Sequence, residues 1–140
     1  MTAEQERISV EDRVAIHELL SLYGHIVDDR QLSRTGEVFA DDAVYDVSDF
    51  GSGVHHGPAE ITALWTATTN HPLAHHTVDV VVTQDPDGTV HVVSKGIGLG
   101  ENGRAGSVTY RDIVRRTPQG WRISRRVAVL RRPDRIPPIT

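Results

Sequence analysis

The chain of 140 residues contains no cysteine, which excludes a disulfide scaffold, a thiolate nucleophile, a Cys-ligated iron–sulfur cluster and any Cys-containing zinc site. No apolar stretch approaches the roughly 18 to 20 residues that a membrane span needs. The N-terminal run Met1-Thr2-Ala3-Glu4-Gln5-Glu6 lacks the basic and apolar regions of a signal peptide, so a cytoplasmic protein with no membrane partner is expected. Internal repeats, low-complexity tracts and Gly/Ser-rich linkers are missing too. A single domain over 1–140 with a Pro-rich tail at 133–140 is therefore expected. Lysine occurs once, at Lys95, and reads as a solvated strand residue.

Against these absences stand eight histidines and an uneven charge distribution. Residues 1–103 carry a net −12 and residues 104–140 a net +8, the latter from ten arginines. No aromatic interleaving or zinc-finger spacing accompanies the basic part, so solvated strand faces explain it better than a nucleic-acid partner. Imidazole and carboxylate remain as the main candidates for proton or metal chemistry. His25 and Asp28 are one helical turn apart, but no His-Glu-x-x-His or similar ligand motif occurs, and His55, His56 and His71 read as exposed loop residues. Neither a metal nor another cofactor is expected.

Ser9-Val10-Glu11-Asp12 is a helix cap with an acid three residues on, after which Ile16, Leu19, Leu20, Tyr23, Ile26 and Val27 recur at helical spacing. This predicts a helix over 10–27. A weaker helical segment covers 32–39, a short strand 43–47, a loop begins at Gly51, and Gly57-Pro58 opens a helix running to about residue 69. Four strands follow over 78–83, 89–99, 105–116 and 121–131, separated by Asp85-Pro86-Asp87-Gly88, Glu101-Asn102-Gly103 and Thr117-Pro118-Gln119-Gly120. Helices first and a strand meander afterwards give an α+β fold, with helices against a curved sheet that could enclose a cone. The tail is read as an extended segment able to reach a neighbouring subunit.

Tyr23 and Asp28 at the end of the first helix, and His75-His76 at the start of the first long strand, stand out as candidate chemistry. Five residues turn an ideal helix through about 140°, so Tyr23 and Asp28 border one cavity only if the helix ends or bends near Val27. The plainer alternative makes Tyr23 a core aromatic and Asp28 a cap. Adjacent strand residues face opposite sides, so only one of the two histidines points inward. The apolar alternation of Val78, Val80 and Val82 favours His76.

The ordered runs Leu22-Tyr23-Gly24-His25-Ile26-Val27-Asp28, Val38-Phe39-Ala40-Asp41-Asp42-Ala43-Val44-Tyr45, His56-Gly57-Pro58, His75-His76-Thr77-Val78-Asp79, Tyr110-Arg111-Asp112 and Gly120-Trp121-Arg122-Ile123 resemble a SnoaL-like protein of the NTF2-like superfamily. The resemblance implies a cone of three helices on a strongly curved mixed sheet, commonly dimeric. It is nearest to the group of scytalone dehydratase, bile acid 7α-dehydratase and hexachlorocyclohexane dehydrochlorinase. That group implies elimination without a cofactor by a His–Asp pair, falling here on His75 and Asp28, with Tyr23 as the associated tyrosine. The resemblance thus favours His75 where alternation favours His76, and a bulge between His75 and Val78 would reconcile them. The extra carboxylate of the bile-acid enzyme has no counterpart in 94–99, so its substrate does not transfer.

Tyr45, Trp65, Tyr110, Asp112 and Arg126 complete the candidate substrate-binding set. Arg125 and Arg126 face opposite ways, and the resemblance points to Arg126 as the inward one, with pairing to a buried carboxylate such as Asp28 as its structural alternative. The expected function is a cofactor-free dehydratase or related isomerase acting on a hydrophobic cyclic molecule such as a polyketide, steroid or terpenoid intermediate. A non-catalytic binding or dimerisation module is the alternative.

Overall fold

The structure, a computed structural model, describes residues 6–140; the run 1–5, part of the stretch read for a signal peptide, lies outside the described residues. Helix α1 spans Val10–Asp28 and starts where the cap predicts: Asp12 N–H donates to Ser9 Oγ at 3.0 Å and Ser9 N–H to Asp12 Oδ2 at 2.9 Å. Asp12 Oδ1 also accepts from Trp121 Nε1 at 3.1 Å, tying the helix start to the last strand. The helix buries Ile16, Leu19, Leu20, Tyr23, Ile26 and Val27, the residues its periodicity selects. At about 1.5–3 kcal/mol per fully buried apolar side chain, this stripe fixes which face meets the sheet.

The second helical segment is a 3-10 helix, Leu32–Glu37, shorter than expected because strand β1, Phe39–Asp46, begins four residues before the expected start. Strand β2, Val54–His56, falls in the region read as loop; three residues are too few to show alternation. Helix α2 spans Gly57–Ala67. At Gly57, φ is +76° and an added Cβ would lie 2.8 Å from the Asp41 carbonyl oxygen, so glycine lets this turn press against β1. Strands β3 Ala74–Gln84, β4 Val90–Leu99, β5 Ala105–Thr117 and β6 Gly120–Leu130 complete the sheet.

The sheet order is β2-β1-β6-β5-β4-β3, with β1 and β6 parallel and every other neighbouring pair antiparallel. Three helices therefore pack on a mixed, curved six-stranded sheet, as expected. Register shifts between Phe39 and Val44, Val78 and Val81, and Ile113 and Val114 bend it. At the start of the tail, Pro133–Arg135 form a 3-10 turn, and Arg135 Nη2 donates to Asp49 Oδ1 at 2.6 Å. No described helix is long and apolar enough to cross a membrane.

Candidate active site

Asp28 is the last residue of α1, and Arg30 beyond it adopts a left-handed φ of +56° that carries the chain off the helix axis. The helix thus ends close to Val27, but of the two residues only Tyr23 lines the cavity, and Asp28 is linked to it through His75. A carboxylate at a helix C-terminus meets the negative end of the helix dipole, so Asp28 needs outside donors. Strand β3 supplies two from one residue. His75 N–H donates to Asp28 Oδ2 at 2.9 Å, and His75 Nδ1 lies 2.6 Å from Oδ1. Gly24, one turn back on α1, permits this approach, because a Cβ there would sit 3.0 Å from the His75 carbonyl oxygen.

A carboxylate only accepts, so the imidazole hydrogen in this bond is on Nδ1, and Nε2 carries the lone pair when the ring is neutral. Nε2 has no hydrogen-bond partner among the described residues, and His75 lines a cavity of about 480 Å³. His76 is exposed. The alternation that favours it is broken at Asp79, whose φ of +54° marks the register shift between Val78 and Val81. The bulge lies beyond Val78, later than the 75–78 interval anticipated. It resets parity so that His75 lines the cavity and Val82 is buried.

Tyr23, Tyr45, Trp65 and Tyr110 also line the cavity. Tyr23 and Tyr45 hydroxyls are 3.1 Å apart, and the Tyr23 ring stands edge-on to His75 with centroids 6.4 Å apart. Burial, then the neighbouring Tyr110 and Tyr45, holds the Tyr23 pKa well above the ordinary tyrosine value; burial likewise pushes Tyr110 up to about 12. Both hydroxyls stay protonated at neutral pH and are available as donors.

Asp112 and Arg126 do not line the cavity, contrary to expectation. They face each other across β5 and β6, both at zero side-chain exposure, and form two 2.8 Å hydrogen bonds. Arg126 is the inward arginine, but its partner is Asp112 and not Asp28. Its guanidinium packs against the rings of both Tyr23 and Tyr110, 4.4 and 4.0 Å from their centroids. Burial opposes its charge and the Asp112 carboxylate more than offsets this, holding its pKa above that of ordinary arginine. The pair therefore supports the two tyrosines from beneath.

Two residues escaped the sequence reading. His71, taken for an exposed loop residue, is half-buried on the cavity wall with its ring 4.7 Å from that of His75. Burial, then His75 and Arg30, pushes its pKa down to about 4, so it is neutral beside the base candidate. Arg104 lies on the cavity lining; its signal was its place directly after the Glu101-Asn102-Gly103 turn, at the head of the basic segment. Lys95 donates to Thr109 at 2.7 Å and does not reach the cavity lining. Among the described residues, no three His, Asp or Glu side chains converge in a way that could hold a metal ion.

Residues 9–127 match the model of the SnoaL-like domain. A candidate aromatic ring hydroxylase from Novosphingobium aromaticivorans is 31% identical, over 91% of this chain and 94% of that one, with a TM-score of 0.72. An NTF2-like protein with a cystatin-like fold from the same organism is 29% identical, over 86% and 82%, with a TM-score of 0.72. The hexachlorocyclohexane dehydrochlorinase LinA-type3 of Novosphingobium barchaimii is 21% identical over 89% and 92%, with a TM-score of 0.71, a likeness of fold. No curated protein matches the chain. The match across most of the sequence, together with the cone of helices on a mixed sheet, makes this chain a member of the SnoaL-like family within the NTF2-like fold.

Proposed function

We propose that this protein is a cofactor-free lyase, a dehydratase or related isomerase, acting on a hydrophobic cyclic substrate such as a polyketide, steroid or terpenoid intermediate. The observation that carries the reading is the grip of both Asp28 oxygens on His75, which leaves Nε2 free on the wall of a cavity walled largely by aromatic and aliphatic side chains. Asp28 is the orienting residue. It fixes the ring and its tautomer and stabilises the imidazolium that forms. The dehydrochlorinase with the same fold removes HCl, which fits the proposed class without indicating the substrate.

In the reaction, Nε2 takes a proton from carbon next to a carbonyl, and the C–H electron pair moves into the enolate. Tyr23, hydrogen-bonded to Tyr45, donates to the enolate oxygen inside the largely apolar cavity. The enolate then re-forms the carbonyl as the β-hydroxyl leaves, taking the proton held by His75 and departing as water. In the isomerase variant the same proton returns to another carbon.

A homodimer is part of this reading. Val78, Val81, Ile97 and Leu99, in β3 and β4, stay exposed in the single chain, and a second copy would cover them. Light scattering after gel filtration tests it. A cytoplasmic location, tested by cell fractionation, accords with the absence of cysteine.

The function is tested by following ultraviolet absorbance of a panel of cyclic β-hydroxy ketones with wild type and His75→Ala. Conjugated product is expected with wild type and loss of about 10³-fold or more with the variant. Equal turnover in the two would remove His75 as the base. Ligand binding with no turnover across the panel would favour a binding module.

A further inference from the structure

The cavity lining has an unusual charge inventory for this chain. Although the protein has 19 Asp and Glu and a net charge of −4, no described carboxylate lines the cavity. Its ionisable members, besides tyrosines, are His71, His75 and Arg104. His71 is held neutral, so Arg104 is the one lining side chain with a permanent positive charge.

Arg104 is also poised for use. Arg34, Arg115, Arg116, Arg126 and Arg135 each pair with an acid of this chain. The Arg104 guanidinium makes no ion pair or hydrogen bond among the described residues. Its backbone is nevertheless held at the β4–β5 turn, with Gly100 N–H donating to its carbonyl at 2.9 Å and its own N–H donating to Asn102 Oδ1 at 3.1 Å. A fixed backbone with a free, exposed fork at the rim of an apolar cavity suits a carboxylate that the fork can hold through two parallel bonds.

Strand register gives the span. His75 pairs with Gly98, and Gly98 with Gly106, so the three lie in one row across β3, β4 and β5. Arg104 is two residues along from Gly106. At about 4.8 Å between strands and 3.4 Å per residue, His75 and Arg104 are on the order of 12 Å apart at their Cα atoms. At the Arg104 end this row is open, since a Cβ added at Gly106 meets nothing within 4 Å, whereas one at Gly98 would lie 3.1 Å from Pro72 Cγ.

We infer that the ligand of this cavity is an amphipathic anion, with an apolar ring body at His75 and a carboxylate or equivalent anionic group held by Arg104 at the mouth. The inference rests on the cavity being the substrate site and makes Arg104 a specificity-determining residue.

The test uses two probes that share an arylaminonaphthalene body: 1-anilinonaphthalene-8-sulfonate, which is anionic, and N-phenyl-1-naphthylamine, which is neutral. Fluorescence titration is expected to show Arg104→Gln weakening the sulfonate by about five-fold or more while the neutral probe changes by less than about two-fold. Arg104→Lys should retain most of the sulfonate affinity. Gly106→Val, which grows into open space, should weaken both probes and so identify the cavity as their site. Equal weakening of both probes by Arg104→Gln, no weakening of either, or sulfonate binding unchanged in Gly106→Val would overturn the inference. These are binding measurements, so a His75 variant that retained turnover would strike the base assignment and leave them untouched.

Discussion

Two of the carboxylate-centred pairs tied to the sheet sit in opposite surroundings. Arg126 and Asp112 meet across adjacent strands with zero side-chain exposure, roofed by Tyr23 and Tyr110. His75 and Asp28 join a strand to a helix end, with 11% and 21% side-chain exposure, and one face of the imidazole pair opens on the cavity. The sealed pair offsets its charges internally, and the one position it leaves without a partner, Arg126 Nη1, is buried and does not line the cavity. The open pair leaves a ring nitrogen without a partner. What separates the two is whether the position left without a partner belongs to a residue that lines the cavity.

The largest effect that separates the pairs is on stability. Removing one partner of the sealed pair by Asp112→Ala leaves an uncompensated buried guanidinium, and urea unfolding should show a loss of about 3–5 kcal/mol. Replacing both by apolar residues of similar volume should recover much of it. If Asp112→Ala unfolded like wild type, the pair would have no supporting role. The open pair should behave the other way round. Asp28→Asn should lower turnover about 10²-fold, because an amide can donate to Nδ1 and favour the wrong tautomer, while unfolding changes by about 1 kcal/mol.

Acid should distinguish the open side as well. His71 has a pKa of about 4 in the fold against 6.5 as the ordinary value. Between those values only the unfolded chain takes up the proton. The stabilising contribution is therefore fully present above about pH 6.5 and is lost as pH falls toward 4. After allowance for its partial exposure, wild type should lose roughly 1 kcal/mol more than His71→Phe between pH 7 and 5. A matching loss in both proteins would remove His71 as the source. The smallest effect is expected at Gly24→Ala: about 1 kcal/mol of gained helix propensity opposes the crowding against the His75 carbonyl, so stability should barely move. Turnover should fall several-fold as β3 shifts from Asp28.

Much of this architecture is legible in the chain, because its signals are local. The cap at Ser9, the helical stripe from Ile16 to Val27, and the turns at Asp85–Gly88, Glu101–Gly103 and Thr117–Gly120 all specify neighbours in sequence. The facing of His75 is legible only through the family resemblance, since Val78, Val80 and Val82 give the opposite parity and one residue, Asp79, resets it. An aspartate within a run of valines is a usable sign of such a reset, because Asp tolerates left-handed backbone better than its β-branched neighbours. The choice of Asp112 as partner for Arg126 depends on β5–β6 register, which a bulge between Ile113 and Val114 shifts. His71 reads as a loop residue because it lies in Thr69-Asn70-His71-Pro72 between two elements, and only the fold places it on the cavity wall.

The central claim is that His75 removes a proton from carbon. Its most direct test is deuterium exchange in D₂O at the α-carbon of a cyclic aryl ketone such as 2-tetralone, followed by NMR, since it requires no leaving group. Wild type should accelerate exchange over buffer, and His75→Ala should return it to the buffer rate with the fold intact. Exchange by His75→Ala at the wild-type rate would contradict the account.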